Sequence, residues 1–421
     1  MSGPSEVGSR FMLTRAAAAM GSQVANAGTS LALQLIAAHS LGLAGYGAFA
    51  LCLSLLTTAT ALYTGYVGDG IVVLGREAQP VRTGLATSAL TLLGLSFAAA
   101  VVLVFVLHLG GAWVALTYAV MVVGWLTEET GRRILEARLE FFALVLNDTV
   151  YAVATLATVA VIVFTGHHLT LLLLLFSMTV GAVAAIATAT VQLPAAEYRE
   201  LRLGRDGVRT VARFSIWRSL QASLRPTQLL LARIALLQLV SLAAVGGVEA
   251  GRLVMAPVQT VINGAGGLLL STSAQTERGA MTARERLAEW STGILVAVTV
   301  LTGLVAGVLA HPVGVIMTGH PVPPLLIFGW TVYLTTWAAV LPCVTELVAR
   351  KLTRTVFNIR VADTVIGLAA LLVGLACGSS ADWTPWLLSI GGVVSAWWMW
   401  RETLRSRQSA RTRMLAEVPH A

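Results

Sequence analysis

The sequence predicts an all-α polytopic membrane protein with twelve transmembrane helices in two lobes of six. Its 421 residues are 57% hydrophobic and only 11% charged, with a mean hydropathy of +0.80. A soluble chain of ordinary composition carries about 25% charged residues, so this balance excludes a soluble globular protein. Long unbroken apolar runs favour helices over barrel strands, because a helix satisfies its backbone hydrogen bonds within the segment.

Twelve apolar segments are long enough to cross a bilayer. The predicted spans are residues 16–40, 46–70, 83–107, 111–130, 142–165, 169–193, 212–239, 248–272, 290–310, 323–349, 359–378 and 384–401. Nearly all of the 28 basic residues lie at the termini and in alternate connections, whereas the other connections are short and almost free of Lys and Arg. Basic residues favour the cytoplasmic side, so both termini are predicted to be cytoplasmic.

The sequence also bears on activity and location. No stretch outside the spans is long enough to fold as a catalytic domain, so we expect neither enzyme activity nor a cofactor. Cys52, Cys343 and Cys377 fall in apolar segments without the spacing of metal ligands or of a disulfide framework. The basic residues are arginines except Lys351, and with abundant alanine this indicates a GC-rich bacterial source and the bacterial inner membrane. Nothing indicates nucleic-acid binding.

The chain divides into two similar halves, residues 1–205 and residues 206–421 with a basic cytoplasmic tail. The cytoplasmic ends of the fourth and tenth spans carry the same residue types at the same spacing. The matching pairs are Thr127 and Thr345, Glu128 and Glu346, Arg132 and Arg350, and, after a small gap, Asp148 and Asp363. Because each half has six spans, both halves share one orientation and the repeat is parallel.

The seventh span carries three arginines, Arg218, Arg225 and Arg233, on one helical face. A guanidinium at mid-membrane costs about 2.5–3.5 kcal/mol or more, so this stripe predicts a water-filled cavity or an anionic ligand. In the alternative, Arg218 reaches the cytoplasmic surface and the others pair with buried carboxylates. Arg252 in the eighth span either pairs with Glu249 or forms the outer end of the cationic path.

Polar residues of three spans are predicted to form a wall of the same cavity. The first span places Gln23, Asn26 and Gln34 on one face, Gln221 lies near the arginine face of the seventh span, and Asn263 lies in the eighth. The alternative is that these side chains provide hydrogen bonds between helices, which polar residues in membranes commonly do.

Carboxylates and basic residues cluster at the predicted cytoplasmic ends of several spans. Their spacings suit ion pairs that latch neighbouring helices, and a gate or a coupling site would use the same residues. These candidates are Asp69, Glu128, Arg132, Asp148, Glu346, Arg350 and Asp363. For Asp69, the alternatives are a pair with a cavity arginine, a coupling ion, or a solvated helix end.

Several motifs together resemble one transporter family. They are the polar first span, residues 45–50 and 75–77 around the second span, the basic turn 131–138 ahead of Asn147, and residues 246–257. The chain thus resembles the Wzx-type polysaccharide-lipid flippases of the multidrug/oligosaccharidyl-lipid/polysaccharide (MOP) superfamily, which are MATE-like. The resemblance implies two six-helix lobes around a V-shaped cavity with alternating access, and cavity cations that engage the phosphate or pyrophosphate of a polyprenyl-linked sugar.

Three functions remain open from the sequence. The first is an alternating-access flippase that moves a polyprenyl (pyro)phosphate-linked saccharide or related anionic glycolipid to the outer leaflet. The second is a cation-coupled exporter of small molecules, and the third is a membrane glycosyltransferase. The expected partners are the anionic lipid-linked saccharide, membrane lipids, and glycosyltransferases or a polymerase of the same pathway.

Overall fold

A computed structural model describes residues 4–74, 78–199, 201–262, 264, 281–350 and 352–416, which are helical apart from short connections. In the first part of the chain the helices are α1 (Pro4–Ser40), α2 (Gly42–Tyr63), a π-helical turn (Thr64–Gly68), α3 (Asp69–Val73), α4 (Gln79–Val106), α5 (Ala112–Ala137), α6 (Phe141–Phe164), α7 (Leu171–Gln192) and α8 (Ala196–Arg199). The later helices are α9 (Val208–Leu239), α10 (Leu242–Val254), α11 (Met281–Val308), α12 (Ala310–Thr318), α13 (Pro324–Ala349), α14 (Thr353–Ala376) and α15 (Thr384–Ala416).

Eleven of the twelve predicted spans coincide with helical segments, and so does the described part of the eighth, which confirms the all-α class. Within the described residues, seven helical segments are long and apolar enough by themselves to cross a membrane. Helices α5 and α9 are not among them, because charged residues lower their hydropathy. The later part of the eighth predicted span, residues 265–272, lies outside the described residues, as do motif residues 75–77.

The contacts divide the chain into two compact units, Met1–Leu230 and Leu231–Ala421, which we call unit 1 and unit 2. The boundary falls inside α9, a few residues after Pro226. The predicted lobe boundary after residue 205 follows the sequence repeat rather than these contacts, and it stays a prediction.

Unit 1 is built around α5. This helix packs against α4 and α7, while α6 packs against α1 and α7. Large buried side chains fill the interior, among them Tyr46, Phe49 and Tyr118, and the Tyr118 hydroxyl donates to the backbone carbonyl of Cys52 at 2.5 Å. Burial of a tyrosine in this setting is stabilising because its hydroxyl keeps a hydrogen bond.

Unit 2 repeats this packing. Helix α13 packs against α11 and α15, and α14 packs against α15, so the third, fourth, fifth and sixth spans of each unit pair in the same way. Trp330 is fully buried and its indole N–H donates to the carbonyl of Val248 at 3.0 Å. The equivalent pairings are the arrangement that a parallel repeat requires.

The connection between α8 and α9 is attached to unit 1. In this connection, residues 201–207, the Gly204 N–H donates to the Thr87 hydroxyl at 3.0 Å, and that hydroxyl donates to the Gly204 carbonyl at 2.8 Å. Gly207 has a φ of +74° and lies so close to Pro80 that a side chain there would clash with its carbonyl. Only glycine adopts this conformation at no steric cost, so the segment has a defined backbone conformation.

Candidate functional site

The first arginine of α9 is held at the end of a π-helical turn. Arg218 donates from Nε to Oδ2 of Asp69 at 2.7 Å, yet 56% of the Arg218 side chain is exposed. Asp69 begins α3 directly after the π-helical turn Thr64–Gly68, which shifts the register of the helix at this point. Such turns are frequent at functional sites. Asp69 therefore pairs with an arginine of the stripe, one of the alternatives predicted for it.

Helix α9 approaches the π-helical turn closely because Gly65 has no side chain. A Cβ atom at Gly65 would lie 2.6 Å from the Cα atom of Ser219, too close for any real contact. The Ser219 hydroxyl donates to the carbonyl of Leu62 at 2.8 Å, a carbonyl that lies one turn before. This close backbone approach is what brings Arg218 within reach of the Asp69 carboxylate.

The middle of α9 is polar although it is surrounded by apolar sequence. Arg225 and Gln221 are half-buried, and Pro226 lies inside the helix. Gln228 is only 3% exposed, and its Nε2 has no hydrogen-bond partner among the described residues. A buried amide donor without a partner is costly, so a water or a ligand group is the expected partner.

The third arginine of the stripe forms a buried ion pair. Arg233 is 7% exposed and contacts Oε1 of Glu249 through Nε at 2.8 Å and Nη2 at 2.7 Å. Arg252 contacts the other carboxylate oxygen, Oε2, at 2.6 Å, and its Nη1 lies 3.5 Å from Oε1 of Gln259. The structure thus pairs both arginines with Glu249, and their role as ligands in a cavity stays a prediction. Their geometry is that of the alternative, in which a buried carboxylate neutralises them.

The predicted polar wall of α1 is only partly directed inward. Gln23 is exposed, Asn26 is half-buried, and Gln34 is buried with its amide donating to Ser30 of the same helix at 3.2 Å and 3.3 Å. These two bonds of Gln34 lie within α1, and the polar wall stays a prediction. Asn263 lies outside the described residues.

A buried charge cluster joins α5 with α6 in unit 1, and we call it the inner cluster. Its members are Glu128, Glu129, Arg132, Asn147 and Asp148, each at most 5% exposed. Arg132 contacts Glu129 through Nη1 and Asp148 through Nε, both at 2.8 Å, and lies 3.7 Å from Glu128. The Asn147 amide donates to Glu128 at 2.8 Å.

The contacts of the inner cluster join three helices, as the predicted latch requires. One guanidinium bridges carboxylates of α5 and α6, and the Ser22 hydroxyl of α1 donates a hydrogen bond to Asp148. Arg133 also contacts Glu129, at 2.8 Å. Removing one member of such a network leaves buried charge unpaired, so the network fixes the three helices relative to each other.

The corresponding residues of unit 2 form a different network. Glu346 accepts from Arg350 of the same helix at 2.7 Å and from Arg407 of α15 at 2.7 Å and 3.1 Å. Arg407 also reaches Glu289 of α11 at 2.8 Å, and Arg350 donates to the carbonyl of Ser406. The tail helix thus supplies the cation that joins α11, α13 and α15.

Asp363, which the repeat aligns with Asp148, lies in a contact between α14 and α15. Its carboxylate accepts from Arg360 at 3.4 Å and from Ser395 of α15 at 3.3 Å. In unit 1 the equivalent Asp148 bridges to Arg132, whereas Arg350 has its described contacts with Glu346 and Ser406. These contacts of Asp363 and Asp148 differ, and a shared role for the two aligned carboxylates stays a prediction.

Sequence reasoning missed Ser22 and Arg407, and it named Glu249 only as one possible partner of Arg252. A usable signal was present for the buried pairs. Arg132 and Asp148 lie at nearly equal distances from the turn at residues 138–140, and Arg233 and Glu249 lie at nearly equal distances from the turn at residues 240–241. Helices joined by a short turn are antiparallel neighbours, so such residues lie at the same depth.

Comparison with solved structures identifies the fold. The chain is similar to a multidrug resistance MATE family transporter of the MOP superfamily in its inward-facing conformation, with a TM-score of 0.67, 14% identity, and coverage of 93% of this chain and 96% of the other. The chain has the MATE fold. It is also similar to the outward-facing conformation of a multidrug resistance MATE family transporter, with a TM-score of 0.61, 12% identity, and coverage of 94% of this chain and 95% of the other. A third similar structure is MATE in the straight conformation, with a TM-score of 0.64, 12% identity, and coverage of 95% of this chain and 96% of the other.

The MATE fold is recognisable here in structure rather than in sequence. No protein-family model matches the sequence, and no curated protein is similar to it in sequence. The MATE fold and the apolar helices together establish a multi-pass membrane protein whose twelve spans fit the two-lobe layout. The similar solved structures are transporters, and they include both inward-facing and outward-facing conformations.

Proposed function

We propose that this chain is an alternating-access transporter that moves an anionic lipid-linked substrate from the inner to the outer leaflet of the bacterial inner membrane. The substrate class is a polyprenyl (pyro)phosphate-linked saccharide or a related anionic glycolipid. The observation that carries this proposal is the charge of α9, which contains five arginines and no carboxylate along its 32 residues. The MATE fold supplies the support for alternating access, since its solved members include both access states.

Arg218 and Arg225 are the expected phosphate ligands. A guanidinium has five N–H donors, and the hydrogen bond that the described residues give to Arg218 uses Nε. Its exposed side chain therefore keeps donors for a phosphate, which arginine binds in a bidentate manner.

Arg233 and Arg252 are surrounded differently from Arg218, because both pair with a buried carboxylate. Both contact Glu249, so the three groups carry a net charge of one positive unit inside unit 2. They support the proposal indirectly, because the pair of Arg233 with Glu249 joins α9 to α10. Their participation as direct substrate ligands stays a prediction.

The second candidate is a cation-coupled exporter of small organic compounds. It is favoured by the description of the similar solved structures as multidrug resistance transporters. The charge of α9 opposes it for cationic compounds, because Asp69 is already neutralised by Arg218 and the helix itself offers no carboxylate. Anionic or zwitterionic compounds would not meet this repulsion.

The test is lipid flipping in reconstituted vesicles. Purified protein is placed in proteoliposomes with a fluorescent polyprenyl-phosphate saccharide, and the fraction of label reached by an impermeant quencher is followed over time. Arg218→Gln and Arg225→Gln are compared with Arg354→Gln, an exposed arginine at the start of α14. A hydrogen bond to a charged group contributes about 1.5–3 kcal/mol, so each α9 variant should slow flipping roughly tenfold or more, and the control should not.

The results separate the two candidates. Flipping at the wild-type rate in both α9 variants would remove the role of the cationic helix. Absence of lipid flipping, together with drug resistance conferred on a sensitive host by the wild-type chain, would favour the small-molecule exporter. Flipping that depends on both arginines would support the lipid-linked substrate.

A further inference from the structure

Unit 1 contains a crevice whose lining includes none of the arginines of α9. A crevice of about 550 Å³ lies between α3, α4, α5 and α7, and the connection 201–207 forms part of its wall. Its lining is largely apolar, with Ile71, Leu85, Leu93, Ile186, Leu193 and Leu203 among the residues. The volume lies within the range of small-molecule sites in proteins.

Exposed apolar side chains line the crevice. Leu90, Leu201 and Leu203 line it and are 56%, 53% and 64% exposed. Apolar cavities disfavour water, whereas a hydrocarbon chain entering from the bilayer would lose no hydration. The lining thus favours an alkyl chain as the occupant over water or a polar solute.

One end of the crevice is charged. Arg82 lines the crevice and its Nη2 contacts Oε2 of Glu197 at 3.2 Å, while Arg138 approaches the other oxygen of Glu197 at 3.7 Å. The connection adds Arg202 and Arg205, which are both exposed. These residues lie at the end that the distribution of basic residues assigns to the cytoplasm, where anionic headgroups attract arginine.

The wall of the crevice is a defined structure. The two hydrogen bonds between Thr87 and Gly204 fix the connection on α4. Gly84 brings the backbones together, since a Cβ at this position would lie 2.6 Å from the carbonyl carbon of Gly207. Leu203, which lines the crevice, therefore directly precedes a backbone segment that is fixed on α4.

We propose that this crevice binds one hydrocarbon chain of an anionic glycerophospholipid from the cytoplasmic leaflet, with the lipid phosphate beside Arg82. The apolar lining takes the chain, and the arginines at the charged end compensate the phosphate. The site lies apart from Arg218 and Arg225, and it does not depend on the function proposed above. Because residues 201–207 form its wall, the bound lipid packs against the segment that leads into α9.

The test is photolabelling of the full-length protein in nanodiscs. The probe is phosphatidylglycerol with a diazirine in one acyl chain, and labelled peptides are mapped by mass spectrometry. We expect label on the α4 and α7 segments that line the crevice. Ala89→Trp, which fills the crevice, should reduce this label at least fivefold, and Ala160→Trp, on an exposed position of α6, should leave it unchanged.

The headgroup is tested by competition. Unlabelled phosphatidylglycerol should displace the probe more effectively than phosphatidylcholine, and Arg82→Gln should abolish that difference. If Ala89→Trp fails to fold, the smaller change Ala86→Leu fills the same crevice and replaces it. Equal competition by the two lipids in the wild-type protein, or label spread evenly over α6 and the crevice, would overturn the proposal.

Discussion

Replacement of Glu249 by glutamine should be among the most destabilising single changes in unit 2. Glu249 is 2% exposed and accepts from Arg233 and Arg252 at 2.6–2.8 Å. The variant leaves two guanidinium groups without their buried carboxylate. Breaking a buried ion pair by removing one partner costs about 3–5 kcal/mol. In a unit of this size that corresponds to a fall in the midpoint of thermal unfolding of roughly 6–20 °C.

The assay is the loss of the monodisperse peak in fluorescence-detected size-exclusion chromatography after heating in detergent. Glu289→Gln is the matched control, because Glu289 pairs with Arg407 but its side chain is 68% exposed, and exposed pairs contribute about 0–1 kcal/mol. The double variant Glu249→Gln/Arg233→Gln should recover part of the loss, since it removes one of the uncompensated charges. A Glu249→Gln protein as stable as the control would refute the idea that this carboxylate neutralises α9.

Two further changes test the packing of unit 1. Gly65→Ala should lower the yield of folded protein and its thermal midpoint, because the new Cβ would lie 2.6 Å from the Cα atom of Ser219. The control is Gly94→Ala, which has open space around it and should be tolerated in the same chromatographic assay. Arg132→Met should lower the thermal midpoint by the equivalent of about 3–5 kcal/mol, because it leaves the carboxylates of the inner cluster unpaired. Arg138→Met, at a more exposed position, should change it by less than about 1 kcal/mol; equal losses for both arginines would count against the latch.

The spans could be predicted from the sequence because the bilayer imposes a local rule. An apolar run of about 20 residues must form a helix there, whatever its neighbours are. The sequence match between residues 127–132 and residues 345–350 can likewise be seen from residue order alone. The two units pack their equivalent helices in the same way. These features needed no knowledge of long-range contacts.

The side-chain partners could not be predicted in the same way. A helical face shows which residues point together, but the partner of Arg218 lies far away in sequence, on α3, and depends on the π-helical turn ahead of Asp69. Arg233 pairs with Glu249 and is buried, whereas Arg218 pairs with Asp69 and is exposed, so two arginines of one predicted face have different surroundings. In unit 2, Arg407 of the tail competes for Glu346, which no repeat with unit 1 could indicate.

Helix α15 continues without interruption for 33 residues, from Thr384 to Ala416. At 1.5 Å per residue it is roughly 50 Å long, whereas the hydrocarbon layer is about 30 Å thick. Near the C-terminal end of this helix, Arg407 forms ion pairs with Glu346 and Glu289. A reporter domain joined at Ala416 would consequently stand on a stiff spacer above the bilayer surface, and its orientation would follow unit 2 instead of averaging over a loose tether.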